Sequence, residues 1–176
     1  MKTTGVVRRI DDLGRIVIPK EIRRSLRIKD GESLEIFVED EIIALKKYSS
    51  MNDLSDICMN LTNTINQTIS KNILITNRDN VLAYSGNNKN NYLKKSISKF
   101  VEEKLKNREV TIEKDKRNVE FIEKLTTNSS YVISPIISNG DVVGSVIIFS
   151  EIESITDIDE KISALAANFL GRHIEE

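Results

Sequence analysis

The sequence predicts a two-part chain: a small, basic, β-rich head with one short helix, then a larger α+β half with flanking helices. Three observations predict it. Positive charge gathers in the first 29 residues, and a proline-led helix sits there among short β-type runs. Far downstream, two apolar runs are joined by Asn139-Gly140, a dipeptide suited to a tight hairpin. A chain of 176 residues has room for one large domain or two small ones.

Residues 6–10 read as a strand, and Asp11-Asp12-Leu13-Gly14 as a turn whose glycine suits positive φ. Residues 15–18 read as a second strand. Pro19 forces Ile18 to be extended and fits the first position of a helix running to about Arg27, before Lys29-Asp30-Gly31. Residues 33–39 alternate Leu34, Ile36 and Val38 with Glu35, Phe37 and Glu39. Residues 42–48 follow across Asp40-Glu41, so the two runs form a hairpin. A segment of about 50 residues buries a modest share of its surface and leans on a metal, disulfides or a partner chain. It holds neither cysteine nor histidine, so a partner chain is expected, and the head is read as an obligate homodimer.

Residues 49–53 are polar apart from Met51 and read as a linker. Met51, Leu54, Cys58, Leu61 and Ile65 then recur at steps of three and four, an amphipathic helix with a near-heptad seam continuing to Thr68 or Ile69. That seam fits packing on its own domain and an intersubunit role equally well. Strands are expected at 73–76 and 81–84 around a turn at 77–80, and a helix at 93–106. Residues 108–128 are too charged to assign. Residues 131–137 and 142–149 form the Asn-Gly hairpin; both are so apolar that their sheet should be covered on both faces. A last helix, 157–174, places Ile158, Ile162, Leu165, Ala166, Phe169 and Leu170 on one face. The expected organisation is residues 1–50 as head, 51–71 as linker or oligomerisation helix, and 72–176 as sensor or oligomerisation domain.

Composition narrows the chemistry. No apolar run reaches the ~18 residues that span a bilayer, and the N-terminus has no signal-peptide character, so a cytoplasmic protein without a membrane partner is expected. One cysteine, Cys58, and one histidine, His173, exclude an internal disulfide and most zinc chemistry. No metal set, activated nucleophile or Gly-rich phosphate loop is visible. The expectation is therefore a non-enzyme without a cofactor, and Asp157, Asp159 and Glu160 read as the acidic first turn of a helix. Cys58 reads as a buried structural thiol and His173 as a helix C-terminal cation. Tyr84, Ser85, Tyr131, Ser134 and Ser145 are placed to line a pocket or simply to pack a sheet.

The net charge of −1 conceals a split. Residues 1–29 carry Lys2, Arg8, Arg9, Arg15, Lys20, Arg23, Arg24, Arg27 and Lys29 against Asp11, Asp12 and Glu21, a net of +6. Residues 30–50 carry −4. Such separation creates a local field that favours an anionic partner. In a helix, Lys20, Arg23, Arg24 and Arg27 fall at i, i+3, i+4 and i+7 on one side, with Ile22 and Leu26 opposite, where they pack on the strands as core. Like charges so spaced repel by a few tenths of a kcal/mol per pair, a cost that phosphates would remove. The blander possibility is a solvated face balanced by nearby acids. Arg8 and Arg9 point to opposite faces of a strand, and Arg15 reaches from the turn. Arginine's planar fork suits phosphate and guanine, and no aromatics interleave the charges, so double-stranded DNA is favoured over single strands.

Residues 4–24, Thr-Gly-Val-Val-Arg-Arg-Ile-Asp-Asp-Leu-Gly-Arg-Ile-Val-Ile-Pro-Lys-Glu-Ile-Arg-Arg, closely resemble the AbrB-type swapped-hairpin transition-state regulators, and the resemblance extends through Tyr48. It implies a dimeric swapped-hairpin β-barrel that holds DNA through Arg8, Arg15, Arg23 and Arg24. Lys2, Arg9, Lys20 and Arg27 join them on charge and geometry. The head followed by about 125 α/β residues resembles the stage V sporulation regulators of endospore-forming bacteria. That resemblance implies a GAF-like domain, a homotetramer through residues 51–176, and a late-sporulation regulator on the forespore nucleoid. An unidentified small molecule is the ligand such a domain would sense. The same barrel also serves antitoxins, the alternative reading; their toxin-binding tails are usually short and disordered, unlike the patterned second half here.

Overall fold

The computed structural model describes residues 5–175, and the chain divides into two units, the first ending at Tyr48 and the second beginning at Ser49. In the first unit the turn at residues 11–14 forms as expected, with Gly14 at φ +75. The strands expected at 6–10 and 15–18 do not form. Beyond the Asp11 N–H donating to the Arg15 carbonyl (3.1 Å), neither run has a ladder, and a strand cannot exist without one.

Helix α1 (Lys20–Ser25) is shorter than its charge pattern suggested. Pro19 is its N-cap, at ψ 147, rather than its first helical residue. The helix closes with a Schellman arrangement: Arg27 N–H donates to Arg24 O (3.2 Å) and Ile28 N–H to Arg23 O (2.7 Å). This puts Arg27 at φ +52, a position usually given to glycine. Arg27 therefore leaves the helical face it was expected to share with Lys20, Arg23 and Arg24. Leu26, expected in the core, is 54% exposed. Strands β1 (Leu34–Glu39) and β2 (Ile42–Lys47) form the expected hairpin, pairing Leu34 with Lys47 through Glu39 with Ile42.

The second unit begins with α2 (Ser50–Asp53), where a linker was expected; Met51 is fully buried, and that anchors the turn. Then come α3 (Ser55–Ile69), β3 (Asn72–Asn77), β4 (Val81–Ser85), α4 (Lys89–Tyr92) and α5 (Lys99–Lys106). The single helix expected at 93–106 is broken. Lys94 takes φ +61, residues 96 and 97 bridge to Asn80 and Ile122, and Ser98 restarts the helix by accepting from Val101 N–H. Strands β5 (Thr111–Ile122), β6 (Leu125–Ser138) and β7 (Asp141–Ser150) precede α6 (Asp157–Glu175). The unassigned stretch 108–128 thus holds β5 and the start of β6. Its charge is that of an edge strand with an exposed middle, which carries no apolar alternation to read.

The sheet is antiparallel, in the order β4-β3-β7-β6-β5. Alternation divides its side chains between two cores. Leu74, Ile133, Ile147 and Phe149 face one way, with Tyr92, Val101 and Leu105 from α4 and α5. Ile73, Ile75, Val132, Val146 and Ile148 face the other, with Cys58 and Ile65 from α3 and Ala166 and Leu170 from α6. The double covering was expected, and Ala166, Leu170 and Ile162 pack inward as the pattern placed them, but the rest of the expected α6 face does not. Ile158, Leu165 and Phe169 are 65%, 69% and 49% exposed, while Ser163, Ala166, Ala167 and Leu170 are buried. Small residues win because they let the helix approach β6 so closely that a Cβ on Gly171 would overlap the Ile137 carbonyl.

The start of α6 is tied down by charge. Asp159, 2% exposed, accepts from Lys71 Nζ at 2.5 Å and from Thr156 N–H at 2.7 Å, and Lys71 also donates to Ser154 O at 3.0 Å. Asp159 is thus a buried anchor as well as a first-turn acid. Removing one partner of a buried pair strands the other charge, at a cost of about 3–5 kcal/mol. Asp159→Ala should lower the stability of the second unit by that much in urea unfolding. A loss below about 1 kcal/mol would show the pair to be replaceable by water.

Candidate nucleic-acid interface

The turn before α1 is organised by one carboxylate. Asp11 Oδ1 accepts from the backbone N–H of Leu13 (3.1 Å) and Arg15 (2.7 Å), while Oδ2 accepts from Arg15 Nε (2.8 Å). These donors, the Arg15 amide first and its side chain second, hold the Asp11 carboxyl below its ordinary value of 3.8. Arg15 remains open to solvent, with a side chain 71% exposed. Arg8 and Arg9 are exposed on the arm entering the turn.

On α1, Lys20 and Arg24 are exposed, and Arg23 is half-buried. Arg23 donates from Nη1 to Asp30 (3.0 Å), while its Nε is buried without a hydrogen-bond partner. At the end of the helix, Lys47 Nζ donates to Arg27 O (3.1 Å) and pairs with Glu32 (3.2 Å); Glu32 also accepts from Lys29 N–H (2.9 Å). The expected set is thus divided. Lys20, Arg23 and Arg24 share a helix, Arg15 sits on a braced turn, Arg8 and Arg9 lie on an arm without strand pairing, and Arg27 is turned aside. Lys2 lies outside the described residues. Asp11 and Asp30 were missed as partners of this set, although an Asp and an Arg four residues apart across a Gly turn were a legible signal for the first.

The residues considered for a pocket in the second unit are used internally. Tyr84 stacks on Tyr92 at 4.6 Å and donates to Asn72 Oδ1 (3.1 Å); Tyr131 meets Phe100 and Phe121 edge-on. Burial pushes the Tyr84, Tyr92 and Tyr131 hydroxyls up. Ser134 bonds to Ser163 and Ser145 to Thr76, each at 2.8 Å, and Ser85 bonds to Thr62 and Asn63. His173 is exposed and stacked on Phe169. No helix among the described residues is long and apolar enough to cross a membrane.

A basic head followed by a five-stranded α+β unit with helices on both faces defines a class by architecture: a charged β-rich head ahead of a unit with the GAF-type fold. The GAF domain of an Acinetobacter phosphoenolpyruvate-protein phosphotransferase has the same fold as the second unit, with a TM-score of 0.58 at 14% identity over 73% of this chain and 84% of that one. The chain belongs to the stage V sporulation protein T family of transcription factors, whose C-terminal family description matches residues 53–175. It is 43% identical to stage V sporulation protein T of Bacillus subtilis over the whole of both chains. Its first part is 60% identical over 48 residues to the transition state regulatory protein AbrB of the same organism, covering 27% of this chain and 50% of that one. Residues 7–53 match the family described as antidote-toxin recognition MazE, bacterial antitoxin.

Cys58 is fully buried on the inner side of α3, and desolvation pushes its thiol up to about 11. The raised value means that burial of the neutral thiol favours the fold below the ordinary value of 9.0, and that this contribution is lost as pH rises toward about 11. Cys58 should therefore resist thiol reagents at pH 8 until the second unit is unfolded. Rapid labelling in native buffer would place it on a surface.

Proposed function

We propose that this protein is a sequence-specific regulator of late sporulation genes that grips double-stranded DNA with a homodimeric head. Arg8, Arg15, Arg23 and Arg24 bind the DNA most directly, with Lys2, Arg9, Lys20 and Arg27 adding charge around them. The observation that carries the reading is the pairing, in one unit, of exposed arginines with apolar surface the unit cannot bury by itself. Val7 is 88% exposed, Val17 and Val38 are each 74% exposed, and Ile43 is 68% exposed. Burying such side chains is worth about 1.5–3 kcal/mol each. A second copy that lends strand pairing to residues 6–10 and 15–18 would complete a swapped-hairpin barrel and double the basic surface. The likeness of the full chain to stage V sporulation protein T, and of its head to AbrB, supports the DNA-binding and sporulation roles.

The second unit then sets the assembly. The exposed stripe Ile158, Leu165 and Phe169 on α6 supports a homotetramer built through residues 51–176. Small-molecule sensing by the GAF-like domain would act by favouring one arrangement of heads over another. The protein works by binding rather than catalysis, in the cytoplasm, on the forespore nucleoid. The antitoxin reading has in its favour the match of residues 7–53. It is weaker because the second unit has two cores of its own rather than the form of a toxin-binding tail.

DNA binding by wild type and Arg23→Ala/Arg24→Ala, measured by fluorescence anisotropy at several salt concentrations with sedimentation on the same samples, tests the proposal. Binding should weaken with the oligomer intact, and the salt slope should fall by about one unit for each phosphate that is no longer neutralised. Equal binding by the double variant would transfer the role elsewhere. Leu26→Asp, in turn, should dissociate the head dimer, since Leu26, 54% exposed in the single unit, belongs to the apolar surface that a second copy would cover. A variant that sediments as wild type would refute that packing.

A further inference from the structure

We propose that Asp11 is a positioning residue for DNA binding: it holds Arg15 by Nε so that the terminal nitrogens of the guanidinium are presented to a phosphate or a base. The inference rests on the reading of Arg15 as a DNA-binding residue.

The geometry separates the two oxygens of the carboxylate. Oδ1 is spent on the turn, through the amides of Leu13 and Arg15, and Oδ2 on the Arg15 side chain. Asp11 is thereby fixed to the backbone, and Arg15 is fixed to Asp11. A guanidinium has five N–H donors, and the bond at Nε uses one of them, leaving the four on the terminal nitrogens that grip an anion in bidentate fashion. A long side chain already held in place loses less freedom when it grips DNA than one that samples all its rotamers. An exposed acid beside a DNA-binding arginine would otherwise be a liability, since it repels phosphate.

Arg23 supplies the contrast. Its partner Asp30 takes Nη1, a terminal nitrogen, at 3.0 Å, while Nε is buried. That pairing occupies a donor which a phosphate would itself use, so Asp30 competes with DNA where Asp11 assists it. The two acids therefore have opposite signs.

The test is a double-mutant cycle on the full-length protein, read as DNA affinity at fixed salt. Asp11→Asn keeps an oxygen for the two backbone amides but turns an NH2 toward Arg15 Nε, so the turn survives and the arginine is released. Its binding should weaken by about fivefold, within the range of coupled neighbours. In an Arg15→Ala background the same change should have no effect or tighten binding slightly. Asp30→Asn should bind as wild type or better. An unchanged unfolding midpoint, together with loss of the Arg15 Nε–H signal from the NMR spectrum of the free protein, would separate positioning from a merely structural role. Tighter or equal binding by Asp11→Asn, as removal of a negative charge alone would give, overturns the proposal. So does equal weakening with and without Arg15. If Arg15→Ala alone binds as wild type, the underlying reading of Arg15 fails as well.

Discussion

The first unit is governed by a shortage of interior. Its 48 residues carry many large apolar side chains, yet α1 buries none and the β1–β2 hairpin is exposed along nearly its whole length. Small units bury too little of their surface to be stable unaided, and the sequence of this one holds neither cysteine nor histidine. Local chemistry still sets the chain's path: the Asp11 turn, the Pro19 cap and the Schellman closure at Arg27 are all satisfied by neighbours in sequence. The unit thus holds its turns, Arg15 and Arg23 in defined places while leaving its apolar faces exposed.

The second unit meets the opposite situation. Five antiparallel strands place alternate residues in two separate cores, so the unit closes on itself. Its buried polar groups are paired with one another: Thr76 with Ser145, Ser134 with Ser163, and Lys71 with Asp159. Unpaired, each would carry a desolvation penalty; paired, they fix how α6, the connection before β3 and the strands of the sheet lie against one another. The serines and tyrosines placed to line a pocket belong to this internal bonding. The unit offers outward an apolar stripe on α6, Ile158, Leu165 and Phe169, because the helix docks through Ser163, Ala166, Ala167 and Leu170.

Much of this was written locally, and where signals were local they were legible. Gly14, the Asp40-Glu41 connection and the Asn139-Gly140 tip each act through their own backbone preferences and lie where the pattern placed them, and Pro19 starts its helix as the N-cap, one position outside the expected one. The gathering of positive charge in the head was equally plain. Errors arose where one pattern fitted two structures. The spacing that put Arg27 on the helical face assumed a helix that continued, and the left-handed residue at Arg27 ended it. The periodicity of α6 put Ile158, Leu165 and Phe169 on one face with Ala166 and Leu170, whereas close approach to β6 buried only the last two of these, beside Ser163 and Gly171.

By itself, then, the sequence determined the charge split, the turns, the two-part organisation and the family, because these depend on composition, backbone preference and the order of residues. Only the folded structure set Asp30 against Arg23. It also revealed β5 in a charged stretch and put Met51 in the core. Those outcomes depend on which surfaces come within a few ångströms of each other, and no residue carries that information until the chain has packed.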